Sequence, residues 1–403
     1  MKRLIILFLC LFLLGTAGAQ EPEKTRGKLN IEYDYYGFLT QSAIKTDGNN
    51  YFGKSNGKDI SFDYRELGLG GSLYFKNNLS LSGLVLSRDA GKTDNHKPSI
   101  DFLKVEYENI KAPGGYINLS AGRIKLPFGL FNETRDMATS KPSVMLAQSV
   151  YSDHARQYLV HSDGFHINYH LPSKDSRQKL RILLKRSETV GHDNKETEAF
   201  FLGADHPGEL GSKPGVKLGI EYINYVSGTK LWLEGSKSTI TYEPASGDYM
   251  PAGEIEIDLY IASISQELGK FTLISELFLP SLYYRGFEPI ITDTDSEPLG
   301  RYVQVNYKHN AKLEFYARYD ERFTDADDRS GENLSAATGR LSHNFFAYDK
   351  AIGVLYHPTH NLTLGLEYHD INGTASLPIQ DNPNLNGQVK NWKMLLFQAS
   401  YQF

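Results

Sequence analysis

Short segments in which apolar and polar residues alternate recur along the chain from residue 29 to its end. Near the start, Leu29, Ile31 and Tyr33 interleave with polar neighbours, and the final segment ends in Tyr401 and Phe403. A period of two residues places successive side chains on opposite faces of a β-strand. No stretch has a sustained helical period, so the pattern predicts an all-β protein.

Several segments have one apolar and one charged face. Ile255, Ile257, Leu259 and Ile261 alternate with carboxylates. The segment 362–368 alternates in the same way, with leucines and a tyrosine on one face. Because the side-chain period of a strand is two, each such strand separates two different environments.

The links between these segments alternate in length. Short, turn-like links lie at 76–78, 111–115, 171–179, 227–228, 268–270, 309–310 and 358–361. Long polar loops lie between them, at 40–58, 88–99, 127–160, 187–214, 243–253, 286–300, 325–339 and 372–389. Short turns on one side and long loops on the other are typical of up-and-down transmembrane β-barrels.

The number and length of the segments fit such a barrel. There are about sixteen strands, an even number, as in single-chain barrels of bacterial outer membranes. Ten residues tilted by about 40° span roughly 26 Å, the height of the apolar band of these barrels. We therefore predict a single domain over 20–403, an antiparallel barrel whose apolar faces look out at lipid and whose ionised faces surround water.

A secreted β-sandwich or β-solenoid would also show alternating strands. In such a protein aromatic residues need not gather at strand ends. Here Tyr or Phe repeatedly marks those ends, at Phe75, Phe278, Tyr307, Phe315, Tyr319, Tyr356, Tyr368 and Tyr401. These positions could form the aromatic girdles of a membrane barrel, which favours the barrel over the soluble alternatives.

The N-terminus has the features of a secretory signal peptide over 1–19. Lys2 and Arg3 precede an apolar stretch, and the small residues at 17–19 supply a cleavage site. Cys10 would be a lipidation site only with a small residue before it, and Leu9 stands there, so ordinary cleavage is favoured. The mature chain then has no cysteine and no disulfide.

Composition excludes several classes of protein. A mean hydropathy of −0.41 and 23% charged residues rule out a bundle of membrane-spanning helices. The 26 Tyr, 21 Phe and 36 Gly favour strands and turns. After removal of Lys2 and Arg3, 41 basic side chains face 48 acidic ones, a net charge of −7. No basic stripe is present, so no nucleic-acid partner is expected.

Two stretches resemble known families. The segment 396–403, which ends in Phe403, resembles the closing strand of Gram-negative outer-membrane proteins. Residues 122–130, with 132–136 and 148–151, resemble the strand-to-loop segment of porins related to the phosphate-selective porin O/P type.

These resemblances imply a location, an assembly and partners. They imply a sixteen-stranded homotrimer in the outer membrane, in contact with lipid bilayer and lipopolysaccharide, whose final strand is read by the barrel-assembly machinery. In that porin family the third outer loop folds into the lumen. The loop 127–160 is the third long loop here, so the resemblance makes it the constriction loop. Phosphate selectivity is not carried over, because no run of arginines repeats along one lumen-facing strand.

Charged side chains on the strands are predicted to line the pore. A Lys or Arg facing lipid near the midplane would cost about 2–4 kcal/mol, so the lumen orientation is favoured. By this criterion the lining residues are Lys104, Glu106, Arg181, Lys185, Glu314 and Arg318. Around the inserted loop the candidate basic groups are Arg123, Lys125, Arg135 and Arg156, and the candidate acidic groups are Glu133, Asp136 and Asp153.

The strand that leads into this loop does not alternate cleanly. Ile117 and Leu119 share a face with Arg123 and Lys125, so either the strand bulges near Gly122 or a charged pair sits at the rim. A second interpretation is that Arg123 and Lys125 pair with loop carboxylates and hold the loop in place.

The sequence offers little support for bond-making chemistry, a metal or a cofactor. His161, His166 and His170 have strand spacing but no closed ligand set. Acidic groups at 293–297 and 325–328 lack the order of a calcium loop and are expected in solvated outer loops. The sequence therefore predicts a non-enzymatic porin for passive diffusion of small hydrophilic solutes. The alternatives are a substrate-specific anion or small-acid channel, and an outer-membrane enzyme or adhesin with a closed lumen.

Overall fold

The computed structural model describes residues 25–26, 31–94, 97–186, 188–189, 195–203 and 206–403. The segment 1–19, in which we predict a signal peptide, lies outside the described residues. Among the described residues no helix is long and apolar enough to cross a membrane.

Sixteen long strands form the wall of the barrel in the described part of the chain. They are β1 Glu32–Asp47, β2 Tyr64–Phe75, β3 Leu79–Ala90, β4 Ser99–Ala112, β5 Gly115–Lys125, β6 His161–Pro172, β7 Ser176–Lys185, β8 Gly215–Asn224, β9 Thr229–Glu243, β10 Gly253–Leu268, β11 Phe271–Arg285, β12 Leu299–Lys308, β13 Leu313–Phe323, β14 Phe346–Tyr356, β15 Leu362–Gly373 and β16 Asn391–Gln402. Each pairs antiparallel with the next, and β16 pairs with β1. The predicted closed, antiparallel, up-and-down barrel of sixteen strands is confirmed.

Short strands and helices lie before and between the long strands of the described chain. The short strands are Thr25–Arg26, Glu188–Thr189, Glu209–Ser212 and Thr294–Ser296. The α-helices are α1 Arg156–Leu159, α2 Lys195–Leu202 and α3 Glu332–Thr338. Four 3-10 turns lie at Asn132–Thr134, Ala138–Ser140, Ser342–Asn344 and Leu385–Gly387.

The last residue of the chain completes the closure of the barrel. The amide of Gly37 donates to the carbonyl oxygen of Phe403, and the amide of Phe403 donates to the carbonyl oxygen of Gly37, both at 3.0 Å. The Phe403 ring lies where a side chain on Gly37 would stand. A glycine in β1 therefore leaves the space that the terminal aromatic ring fills.

The strands extend further toward the long-loop end than the sequence pattern suggested. β1 continues to Asp47, whereas we predicted a loop from residue 40. At the opposite end the short links fall where predicted, and Asn77 and Asn78 adopt positive φ angles in the turn between β2 and β3. The first described residues, Thr25 and Arg26, pair with the start of β1 on the short-turn side, and Phe403 lies on the same side.

The apolar face is reversed in the long-loop half of β10. Ile255, Ile257, Leu259 and Ile261 are 0–7% exposed, and they are buried inside the barrel. Their expected contact with lipid is therefore wrong. Ile255, Ile257 and Leu259 pack against apolar side chains that the long loops and the segment 127–160 place in the interior, among them Tyr158, Leu159, Phe201, Met250 and Phe287. Ile261 belongs to a second buried cluster, with Phe128 and Tyr151. Buried loop residues thus replace lipid as the apolar neighbours of this strand.

Phe278 in β11 also points inward. Its ring meets the Phe128 ring edge-on, with centroids 5.3 Å apart. Phe278 is therefore not part of an outer aromatic girdle. By contrast, Phe315, Tyr319, Tyr356 and Tyr368 are 37–44% exposed and lie on the outer face.

Candidate functional site: the barrel interior

Residues 127–160, which we call the inserted segment, fold into the barrel and reach its far wall. β5 and β6 flank this segment in the sequence, yet it contacts β11, β13 and β15. The Tyr151 hydroxyl donates to Glu276 at 2.7 Å, Arg318 donates to the Met145 carbonyl at 2.7 Å, and the Met145 amide donates to Glu367 at 2.8 Å. Val144, Val150 and Tyr151 are at most 1% exposed.

The base of the inserted segment is held closed by Asn132. Its side-chain amide donates to the carbonyl oxygens of Leu126, at 3.0 Å, and Leu159, at 2.7 Å. The Leu126 amide donates to the Val160 carbonyl at 2.8 Å. Asn132 is 0% exposed, so these hydrogen bonds satisfy a side chain that would be costly to bury alone.

One ion-pair network joins the inserted segment to the wall at the end of β5. Lys125 contacts Asp136 at 2.6 Å and Asp101 at 2.9 Å. Arg156 contacts Asp136 at 2.6 Å. Burial raises the pKa of Asp136, but the charges of Arg156 and Lys125 outweigh it and hold that pKa well below its ordinary value. Asp136 is therefore an anionic link between two cations.

A second network centres on Asp153 and Arg88. The Arg88 guanidinium contacts Glu66 at 3.0 Å and Asp153 at 3.0 Å. Arg135 contacts Asp153 at 3.3 Å and donates to the Tyr151 carbonyl at 2.9 Å. Burial raises the pKa of Asp153, but Arg88 and Arg135 outweigh it and lower that pKa below its ordinary value.

Two inward-facing cations of β7 meet the near side of the inserted segment. Arg181 contacts Glu133 at 2.7 Å and Glu221 at 2.8 Å, and its guanidinium lies 4.6 Å from the centre of the Trp232 ring. The Lys185 ammonium lies 4.8 Å from the centre of the Tyr158 ring. β4, which is separated from β7 by β5 and β6, contributes the inward ion pair of Lys104 with Glu106.

The far wall supplies acceptors and one buried ion pair. Glu276 accepts hydrogen bonds from Tyr151, Ser263 and Tyr302 at 2.6–2.7 Å, and from the Leu130 amide at 3.0 Å. Arg318 contacts Glu367 at 3.1 Å, and both side chains are at most 1% exposed. Glu314 accepts from the Asn306 side chain at 2.6 Å. The inserted segment is thus anchored to the wall on both sides.

Arg123 lies on the outward side of the wall. It contacts Asp163 at 2.9 Å, and each of these side chains is 35% exposed. Its partner across β4 is the exposed Leu103. Arg123 is therefore not among the side chains that face the interior, in contrast to the prediction. The register is continuous through Gly122, and the break between β4 and β5 lies between Tyr107 and Ile110.

Other candidate groups form no metal centre in the described part of the chain. His166 and His170 face the barrel interior from β6. The described residues, however, contain no group of three His, Cys, Asp or Glu side chains placed to hold a metal ion. In the outer loops, Asp295 pairs with Arg285 at 2.7 Å, and Asp328 accepts from the Leu334 amide at 2.9 Å. These carboxylates have local structural partners.

Several residues of the networks were missed by the sequence reasoning. They are Glu66, Arg88, Asp101, Glu221, Glu276 and Glu367. Arg88 shares its strand face with Leu84 and Leu86, and Glu276 shares its face with Ile274 and Phe278. A search for charged faces therefore passes over both residues. We predicted a loop from residue 88, but β3 continues to Ala90. Extending the strand pattern to Ala90 would have placed Arg88 on a strand.

Comparisons with known proteins show the fold. No family model matches the chain, and no curated protein matches it in sequence. The outer-membrane channel DcaP of Acinetobacter baumannii aligns with 14% identity over 94% of this chain and 99% of its own, with a TM-score of 0.60. The anion-selective porin of Comamonas acidovorans aligns with 11% identity over 93% and 100%, with a TM-score of 0.54. OmpT of Vibrio cholerae aligns with 11% identity over 94% and 100%, with a TM-score of 0.53.

The chain therefore has the fold of outer-membrane porins and channels. The more specific likeness to the phosphate-selective porin O/P type stays a prediction.

Proposed function

We propose that the protein is an outer-membrane porin of a Gram-negative bacterium that admits small hydrophilic solutes or ions by passive diffusion. The observation that carries the proposal is a closed barrel whose interior holds ion pairs on β2, β3, β7, β8, β13 and β15. Ionised side chains around water select solutes by charge and size without making bonds, so we propose no enzymatic activity.

The inserted segment is the proposed constriction. Its anchors on β3, β5, β7, β11, β13 and β15 hold it across the interior. The proposed lining residues are Lys104, Glu106, Lys125, Glu133, Arg135, Asp136, Asp153, Arg156, Arg181, Lys185, Glu314 and Arg318. Opposite charges held across a narrow passage produce a transverse field, which orients polar solutes.

The proposed assembly is a homotrimer in contact with lipopolysaccharide. One solved structure of OmpT from Vibrio cholerae is described as a trimer form, and this fold is shared. We further propose that the barrel-assembly machinery reads the final strand, which ends in Phe403. On a denaturing gel the apparent mass of the unheated protein should correspond to three chains. After boiling it should fall to the mass of one chain.

Planar-bilayer recording tests the proposed pore. Large ohmic conductance steps are expected from the purified, detergent-solubilised protein, and liposomes containing it should swell in small sugars. A bilayer that stays silent, with liposomes that do not swell, would favour a closed-lumen enzyme or adhesin. Steps that a micromolar solute blocks would favour a substrate-specific channel of the same fold.

A further inference from the structure

A cavity of about 210 Å³ lies on the long-loop side of the inserted segment. Its floor includes Ser152 and Tyr158 of that segment, and α2 contributes Phe200 and Phe201. Leucine and aromatic side chains from the ends of β10, β11 and β13 complete a largely apolar wall. A solute that enters between the long loops would meet this cavity before the proposed constriction.

Two guanidinium groups line the cavity. Arg322, near the end of β13, donates to the Ser152 hydroxyl at 3.2 Å, and its guanidinium lies 5.1 Å from the centre of the Phe200 ring. Arg340, in the loop after α3, donates to the Gly203 carbonyl at 2.9 Å. Within the described ranges, neither forms an ion pair with a carboxylate.

This arrangement differs from that of three other interior arginines. Arg88, Arg181 and Arg318 each contact at least one carboxylate. No Asp or Glu of the described residues lines the cavity. The nearby Glu196 is occupied by His154 and by the amides of the segment 379–380. Asp320, two residues before Arg322, accepts from the Ser149 amide at 3.5 Å.

A cation in apolar surroundings without a counterion favours the arrival of an anion, because the anion compensates the lost hydration. A guanidinium matches a carboxylate in planar, paired hydrogen bonds. The apolar walls favour a ligand that also carries an apolar body. The volume is below the range of about 300–1,000 Å³ that is usual for drug-sized ligands, so the body must be small.

We propose that this cavity binds a small organic carboxylate with an aromatic or similarly sized apolar body, held by Arg322 and Arg340. The proposal deepens the proposed function and rests on it, since it places a recognition site on the path to the constriction. The channel would then concentrate such acids at its mouth while other small solutes pass without binding.

Benzoate is a suitable probe, with acetate and benzyl alcohol as matched comparisons. Acetate keeps the carboxylate without the ring, and benzyl alcohol keeps the ring without the charge. Equilibrium dialysis of labelled probes against the full, detergent-solubilised protein measures binding whether or not the barrel conducts. Benzoate should bind at least about tenfold more tightly than acetate, which lacks the ring, or benzyl alcohol, which lacks the carboxylate. Equal binding of acetate or benzyl alcohol would overturn the proposal.

Two variants test the arginines. Arg322→Gln and Arg340→Gln should each weaken benzoate binding by about tenfold. The control is Arg285→Gln, which removes an exposed guanidinium at the long-loop end, paired with Asp295 outside the cavity. Its benzoate affinity should stay within about twofold of that of the unmodified protein. Heat-modifiable gel mobility reports folding, and Arg322→Lys, which keeps the charge, should bind better than Arg322→Gln.

The outcomes separate this site from the proposed pore. Unchanged benzoate affinity in both glutamine variants, with folding intact, would refute the site even if the bilayer conductance is large. Arginine-dependent benzoate binding by a protein that is silent in bilayers would support the site and refute diffusion through the barrel. If both glutamine variants fail to fold, the comparison of the three probes on the unmodified protein still decides.

Discussion

Arg123 and Lys125 lie two residues apart on β5, yet they form ion pairs on opposite sides of the barrel wall. Arg123 contacts Asp163 at 2.9 Å on the outward face. Lys125 lies at the last position of the strand, where the chain turns into the inserted segment, and contacts Asp136 at 2.6 Å in the interior. Of these two neighbouring cations, only Lys125 can act on a solute inside the barrel.

This placement predicts different effects of the same substitution. Lys125→Ala should shift the reversal potential in a salt gradient toward cation preference, because Asp101 and Asp136 keep their charge and lose one cation. Arg123→Ala should leave the reversal potential within experimental error. A shift of equal size in both variants would place Arg123 in the electric field of the pore and contradict the outward orientation.

The sequence predicts the wall better than the interior. Strand alternation and the order of short turns and long loops depend on residues close together in the sequence. The turn at Asn77 and Asn78, where both residues have positive φ angles, is an example. The interior depends on contacts between distant residues. Tyr151 and Glu276 are 125 positions apart, and Met145 and Glu367 are 222 apart. No local pattern pairs them.

The direction in which a strand faces is also decided by its neighbours. Ile255 and Ile257 have the alternation of a lipid-facing strand, but the inserted segment and the outer loops supply an apolar interior at that level. The orientation of Asp101 also depends on a neighbouring strand. Leu84 of β3 pairs with Phe102 of β4, but the next residue, Val85, pairs with Ile100, so the register shifts by one residue. Asp101 thereby lies opposite this break and is buried beside Lys125.

The hydroxyl of Tyr151 should control the mobility of the inserted segment. Tyr151→Phe removes its hydrogen bond to Glu276, at an expected cost of about 1–3 kcal/mol. Because that bond joins the segment to the far wall, current fluctuations in single-channel records should increase. Tyr302→Phe is the matched control, since Tyr302 donates to the same carboxylate at 2.6 Å from within the wall. Equal current noise in the two variants would show that the Tyr151 hydroxyl does not control the mobility of the segment.

The pair of Arg318 and Glu367 should show strong thermodynamic coupling. Arg318→Met leaves a carboxylate that is 0% exposed and whose remaining neighbour of basic type, among the described residues, is the His369 ring at 3.4 Å. The substitution should lower the free energy of unfolding by about 3–5 kcal/mol. Adding Glu367→Met removes the uncompensated charge and should recover more than half of that loss. Urea titration in lipid vesicles measures both values. If the loss of stability in the double variant equals the sum of the losses in Arg318→Met and Glu367→Met alone, the two residues are not coupled.

The inserted segment should keep its anchors at mildly acidic pH. Since the pKa values of Asp136 and Asp153 are lowered in the folded protein, their contribution to stability is present above the unfolded value of about 3.9 and is lost as the pH falls through the folded values. The contribution of these two groups to conductance should therefore be equal at pH 7 and pH 5, with larger fluctuations appearing below about pH 4.

Asp136→Asn separates this contribution from that of other titrating groups. An asparagine lacks the charge that links Lys125 and Arg156, so the variant at pH 7 resembles the protonated state of Asp136. It should show at pH 7 the enlarged current fluctuations that the unmodified protein shows only below about pH 4. If the variant instead gives quiet records at pH 7, with normal folding on an unheated gel, the charge of Asp136 is not what holds the segment across the barrel.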